Sequence, residues 1–239
     1  MKTVQITLLL FLSAIVITSV STTNVFATSV GKIPTHTSMT KSSTCHTDPL
    51  PKVDWSNCKL SFTSIHFTDM SGANLSGMIS KRMHLYNVNL SGSNLKNSIL
   101  SSADIVFSNL SGADLRGANL RNVEFYHTDL SGADLRGADL TGARFPGVSF
   151  ANANLEGVNL SHTNLIGANM QNANLQGTDF TGSDIRNADF TGANLKSATL
   201  RNADLTGGFL TNADLTKTDV GGLDYSGVDM SCHGNPVCR

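Results

Sequence analysis

Residues 111–140 read SGADLRGANLRNVEFYHTDLSGADLRGADL, and an apolar residue recurs at every fifth position: Leu115, Leu120, Phe125, Leu130, Leu135 and Leu140. Extended outward, the same frame runs from Leu60 to Met230 without an insertion. Its 35 centres comprise 21 Leu, 5 Phe, 3 Ile, 3 Met and one each of Val, Tyr and Ser, with Ser80 alone breaking the apolar series. Two residues before each centre, 25 of the 35 positions are Ala, Ser or Thr. The residue just before the centre is Asp or Asn in 25, and the residue two after it is Gly or Asn in 25. A helix cannot bury this pattern, because a period of five spirals around a turn of about 3.6 residues. A flat strand cannot either, because an odd period throws successive leucines onto opposite faces. The chain must turn once per unit, always to the same side, with Gly or Asn accepting the tight backbone at the corner.

The units ADLRG (113–117 and 133–137), ANLQG (173–177) and TGANL (191–195) resemble those of the pentapeptide-repeat family, whose repeat is written A(D/N)LXX, over essentially residues 56–232. The resemblance implies an all-β fold, a right-handed quadrilateral parallel β-helix with four units per coil and about nine coils. At about 4.8 Å per coil, each centre then stacks on residues 20 positions away. Ala, Ser and Thr suit the narrow interior beside the centres. At the exception, Met78 and Met83 occupy small-residue positions, and their volume compensates for Ser80.

On that architecture the cysteines fall at the two ends. A bridge needs Cα atoms within about 7 Å, so pairings that join the ends must cross the stack. This leaves Cys45–Cys58 and Cys232–Cys238 as end caps; the alternative is that Cys58 is a small inward residue with a free thiol.

The N-terminus is a separate matter. Lys2 precedes the apolar run Ile6–Ile17, and Val25-Phe26-Ala27 places small residues for cleavage before Thr28. Residues 1–27 therefore read as a signal peptide, or as an anchor where cleavage fails, and no later stretch is long and apolar enough to span a bilayer. Residues 28–57 form a Thr/Ser/Pro-rich lead-in ending in a cap, residues 58–232 the repeat, and 233–239 a C-terminal cap. The expected location is secreted or cell-surface. A formal charge of −1, with 17 basic and 18 acidic residues, disfavours nucleic acid as a partner.

Residues 20 apart share a column, and the columns point to candidate sites. After the centres Ile65 to Leu165, one outward column reads His66, Tyr86, Val106, Tyr126, Pro146 and Ile166, and the next contains Phe67, Phe107 and His127. A contiguous apolar strip marks a contact surface for a protein, a glycan or a second copy of the chain, unless residues 28–57 cover it. A second column, His84, Asp104, Glu124 and Arg144, has the residue types of an acid–base or metal cluster and equally of a surface charge ladder. A third, Lys96, Arg116 and Arg136, offers an anionic contact. Four Asn-x-Ser sequons start at Asn74, Asn89, Asn109 and Asn159 and follow from the repeat composition. No motif calls for a cofactor or metal, and none of the familiar catalytic signatures is present. The expected function is a non-enzymatic exported scaffold that binds a protein or glycan through a flat face; a purely structural spacer is the alternative. The resemblance also brings in DNA-mimicking topoisomerase binders. Export and the modest acid excess of residues 56–230, 16 acids against 12 bases, set this chain apart from them.

Overall fold

The computed structural model describes residues 45, 47–60 and 63–238. Residues 1–27, expected to be a signal peptide, and the first part of the lead-in lie outside the described residues. Within them the backbone rungs are parallel and link each residue to the one 20 positions later, from Asp54↔Asn74 to Phe209↔Asp229. The fold is the right-handed quadrilateral β-helix that the resemblance to pentapeptide repeats implies. The centres stack in four columns inside the coil. Leu115, Leu135, Leu155, Leu175 and Leu195 form one such column, all fully buried. Phe125 lies parallel to Phe145, centroids 5.5 Å apart, and Phe150 meets Phe145 edge-on. Each buried centre contributes on the order of 1.5–3 kcal/mol, so the column of leucines is the main force holding coil on coil.

The corners explain the rest of the repeat. At most of them the chain makes a tight turn, closed by a bond such as that from Ala73 N–H to the Met70 carbonyl, 3.1 Å. The residue two after the centre adopts positive φ, for example +71° at Gly142 and 55° at Asn122. The Asx residue before the centre straps the same turn: Asp69 Oδ1 accepts from Ser71 N–H at 3.0 Å, and Asn109 Oδ1 from Ser111 N–H at 2.8 Å. This is an Asx-turn, which only a short side-chain oxygen at that position can make. Asn residues also bond from coil to coil, as Asn194 Nδ2 does to Asn174 Oδ1 at 3.0 Å.

One corner differs over four successive coils. Here the chain stays extended one residue longer and forms strands β1 (Ser64–His66), β2 (His84–Tyr86), β3 (Asp104–Val106) and β4 (Glu124–Tyr126), paired in parallel in that order. Inward hydroxyls bond the backbone at this corner. Ser108 Oγ accepts from Val88 N–H at 3.1 Å, and Thr128 Oγ1 donates to the Ile105 carbonyl at 2.7 Å. In the next coil Pro146 and Gly147 restore the tight turn, as expected of a residue whose fixed φ suits the first turn position.

Both ends carry the expected bridges. Cys45–Cys58 and Cys232–Cys238 are disulfides with Cα separations of 5.7 and 5.0 Å. Coil-type bonding begins upstream of residue 58: Lys52 N–H donates to the Ser71 carbonyl, and Trp55 N–H to that of Asn74. Trp55 fills the centre slot beneath Leu75 and is buried, its Nε1–H donating to Thr47 Oγ1 at 3.0 Å. At the far end the rung Asp214↔His233 spans one residue fewer than the others, and Asn235 Nδ2 donates to the Thr218 carbonyl. No helix among the described residues is long and apolar enough to cross a membrane.

Candidate binding face

The strip singled out from the sequence falls on the four-stranded corner. In each strand the middle residue points into the coil and the third points out, so β1, β2, β3 and β4 present His66, Tyr86, Val106 and Tyr126. The residue after each strand turns the corner at positive φ and adds a second row: Phe67, Asn87, Phe107 and His127. The rings interlock. His66 meets Tyr86 edge-on, Phe67 meets Tyr86 at 5.4 Å, Tyr86 meets Phe107 at 5.8 Å, and Phe107 meets Tyr126 at 5.6 Å, all near-perpendicular. His127 lies parallel to Phe107 at 5.5 Å. Six rings thus form one continuous herringbone, and it stays open: Phe67 is 72% exposed, Phe107 47%, Tyr126 43% and Tyr86 40%. Val106 sits partly exposed between the two tyrosines. Ile166 is also exposed but stands two coils beyond Tyr126, past Pro146, outside the ring row.

Backbone conformation adds a second oddity. Phe67, Phe107 and His127 have φ of 51°, 51° and 47°. A bulky side chain in the left-handed region costs roughly 1–2 kcal/mol, and the repeat fills this slot with Gly or Asn in 25 of its 35 units. The next coil accommodates His127 with a glycine: a Cβ on Gly147 would collide with the His127 ring at Nδ1.

The flanking side chains pair with one another. In the column beside the strip His84 Nδ1 lies 2.8 Å from Asp104 Oδ2, and Arg144 Nη1 lies 3.0 Å from Glu124 Oε1. The column therefore resolves into two exposed pairs, and no group of three His, Cys, Asp or Glu is arranged to hold a metal among the described residues. In the basic column the two arginines are committed across their turns. Arg116 and Arg136 each grip the aspartate two residues earlier, with Arg136 Nε 3.0 Å from Asp134 Oδ1 and Nη2 2.7 Å from Oδ2. The arginine hydrogen bonds hold the Asp114 and Asp134 carboxyls below their ordinary range. Column arithmetic overlooked this pairing because it compares residues 20 apart, whereas the partner is two residues away.

Sequence reasoning also passed over two exposed aromatics, Phe209 and Tyr225, which stand apart from the strip near the C-terminal end. Phe209 occupies an Asx position and Tyr225 a centre, so departures from the consensus were the available signal.

The sequence pattern described as Pentapeptide repeats matches eight copies, over residues 50–77, 84–122, 118–157, 153–192 and 193–231. The chain belongs to the pentapeptide-repeat family. Among solved structures, this pentapeptide-repeat protein is similar to HetL, a protein involved in heterocyst differentiation regulation from the cyanobacterium Nostoc sp. strain PCC 7120. The TM-score is 0.53 at 23% identity, over 74% of this chain and 88% of HetL. A trypsin-treated form of QnrB1, a plasmid-mediated fluoroquinolone resistance protein, aligns with a TM-score of 0.46 at 25% identity, covering 78% of this chain and 86% of that one. Among curated proteins no relative matches. The likeness to HetL is one of fold: a pentapeptide-repeat scaffold with its own surface.

Proposed function

We propose that this pentapeptide-repeat protein is an exported, non-enzymatic scaffold that binds a protein or glycan partner through the face formed by β1–β4. The observation that carries the reading is the open herringbone of Phe67, Tyr86, Phe107 and Tyr126. Aromatic rings lose little conformational freedom on contact and supply large apolar area, so an exposed row of them favours recognition. Three of the six rings are held at strained backbone positions, and strain retained at a surface is a pointer to use. Export rests on the charged, apolar and small-residue sequence of positions 1–27.

The test is capture from the native extracellular fraction by immobilised wild-type chain and by a Tyr86→Ala/Tyr126→Ala variant. The reading expects a component retained by the wild type and lost by the variant. Identical retention by both contradicts it. A reporter fused after residue 44 that stays inside the cell overturns export.

A further inference from the structure

The geometry points to a specific partner for this face, an uncharged, extended β-1,4-linked glucan chain lying along the axis of the coil stack. The inference rests on the binding reading above and gives it a chemistry. The rows are straight because the rungs beneath them are in register, Leu85 on Ile105 and Ile105 on Phe125. Within one row Tyr86 and Tyr126 stand two coils apart with the smaller Val106 between them. Within the other, Phe67 and Phe107 stand two coils apart with Asn87 between them. Two coil rises are about 9.6 Å, close to the advance of one disaccharide in a β-1,4-linked hexopyranose chain. Successive sugars of such a chain flip over, so the same face returns at every second residue, which matches the two-coil spacing of Tyr86 and Tyr126 and of Phe67 and Phe107, while His66 and His127 add a ring at opposite ends of the two rows.

Charge agrees with that choice. The acidic and basic groups beside the strip are already paired as His84–Asp104 and Glu124–Arg144. Arg144, the arginine of that column, is already engaged by Glu124, so an acidic polymer gains no cationic row from it. A glucan requires none of these. It offers C–H ring faces to aromatics and hydroxyls to the phenols of Tyr86 and Tyr126. From β1 to β4 the strip advances about 14 Å, enough for about three sugars.

The experiment is calorimetric titration of the purified full chain with cellohexaose, beside maltohexaose and a hexamer of galacturonic acid. Saturable cellohexaose binding is expected, about tenfold weaker in Tyr86→Ala and in Tyr126→Ala. Maltohexaose, whose α-linked chain coils, and the charged hexamer are expected to bind at least about tenfold less tightly than cellohexaose. Phe67→Asn provides a variant that keeps a residue type common in this turn slot while removing one ring, and it should weaken binding without loss of fold. Absence of saturable cellohexaose binding overturns the proposal, as does equal affinity for maltohexaose or indifference to both tyrosine changes. A dimer in sedimentation velocity that dissociates in the Tyr86→Ala/Tyr126→Ala variant assigns the face to a second copy and also overturns it. If strip-dependent capture from the extracellular fraction persists while cellohexaose fails, the glucan is rejected and the binding face stands. If both fail, both readings fall.

Discussion

Serine at the inward slot two before a centre does opposite things in neighbouring coils. Ser108 Oγ accepts the Val88 N–H, whereas the buried hydroxyls of Ser93 and Ser98, like that of Ser80 at a centre, have no hydrogen-bond partner among the described residues. Ser108→Ala should therefore cost about 1–2 kcal/mol by orphaning a buried amide, while Ser93→Ala should be neutral or stabilise by up to about 1 kcal/mol. Urea midpoints of the two variants check this; equal destabilisation would contradict it. Glycine gives a second contrast. Gly147 and Gly157 both have φ of +67°, but an added Cβ meets His127 at Gly147 and nothing within 4 Å at Gly157. Gly157→Ala should lose about 1 kcal/mol to backbone strain alone. Gly147→Ala should lose more and release the His127 ring from Phe107, visible as a change in the His127 ring resonances. Equal losses with unmoved resonances would mean the ring does not occupy that space.

At the scale of the element, the coil ends are where a stacked repeat frays, since each coil is supported only by its neighbours. Cys45–Cys58 closes a sequence separation of 13 over the first coil, and by the chain-entropy account such a loop stabilises by roughly 3 kcal/mol. Its loss should act locally. In Cys45→Ser, hydrogen exchange at the Trp55 and Leu60 amides, which bond to Asn74 and Ile79, should speed up, while Leu155 and Leu175 keep their protection. Uniform acceleration along the chain would show that the stack unfolds as one unit. The strand corner was only half legible beforehand. Counting residues 20 apart placed the six rings and Val106 on one face, with Ile166 falling outside the ring row, because a strict frame makes column membership a matter of counting. The three-residue strands and the herringbone depended on inter-coil bonds such as Phe67 N–H to the Tyr86 carbonyl, which no count supplies. Trp55 was missed as a centre because its bulk broke the run of leucines, although it stands in frame and follows an aspartate.

For the whole molecule, turn-strapping aspartates couple stability to pH. Hydrogen bonds from the Arg116, Arg136 and Arg186 side chains lower the Asp114, Asp134 and Asp184 carboxyls, and the Thr141 hydroxyl does the same at Asp139. A bond from Thr216 has the largest lowering effect at Asp214. Depressed native values mean that this stabilisation is present above the unfolded aspartate pKa of about 3.9 and lost as pH falls through the lower native values. The urea midpoint should hold steady from about pH 7 to 5 and fall below about pH 4. Asp114→Asn with Asp134→Asn should flatten that fall, and a midpoint unchanged down to about pH 2 would contradict the linkage.

The period of five dictated a chain that turns once per unit, always to one side, because only then do the leucines leave water together, and the likeness to pentapeptide repeats implied four units per coil. The sequence also determined which residues share a column and that the cysteines stand at opposite ends. Folding in three dimensions settled which ionisable side chains pair, which hydroxyls find a backbone partner and how the rings interlock. Those outcomes depend on side-chain directions across a turn or between coils, at distances of a few ångströms that a one-dimensional period does not encode.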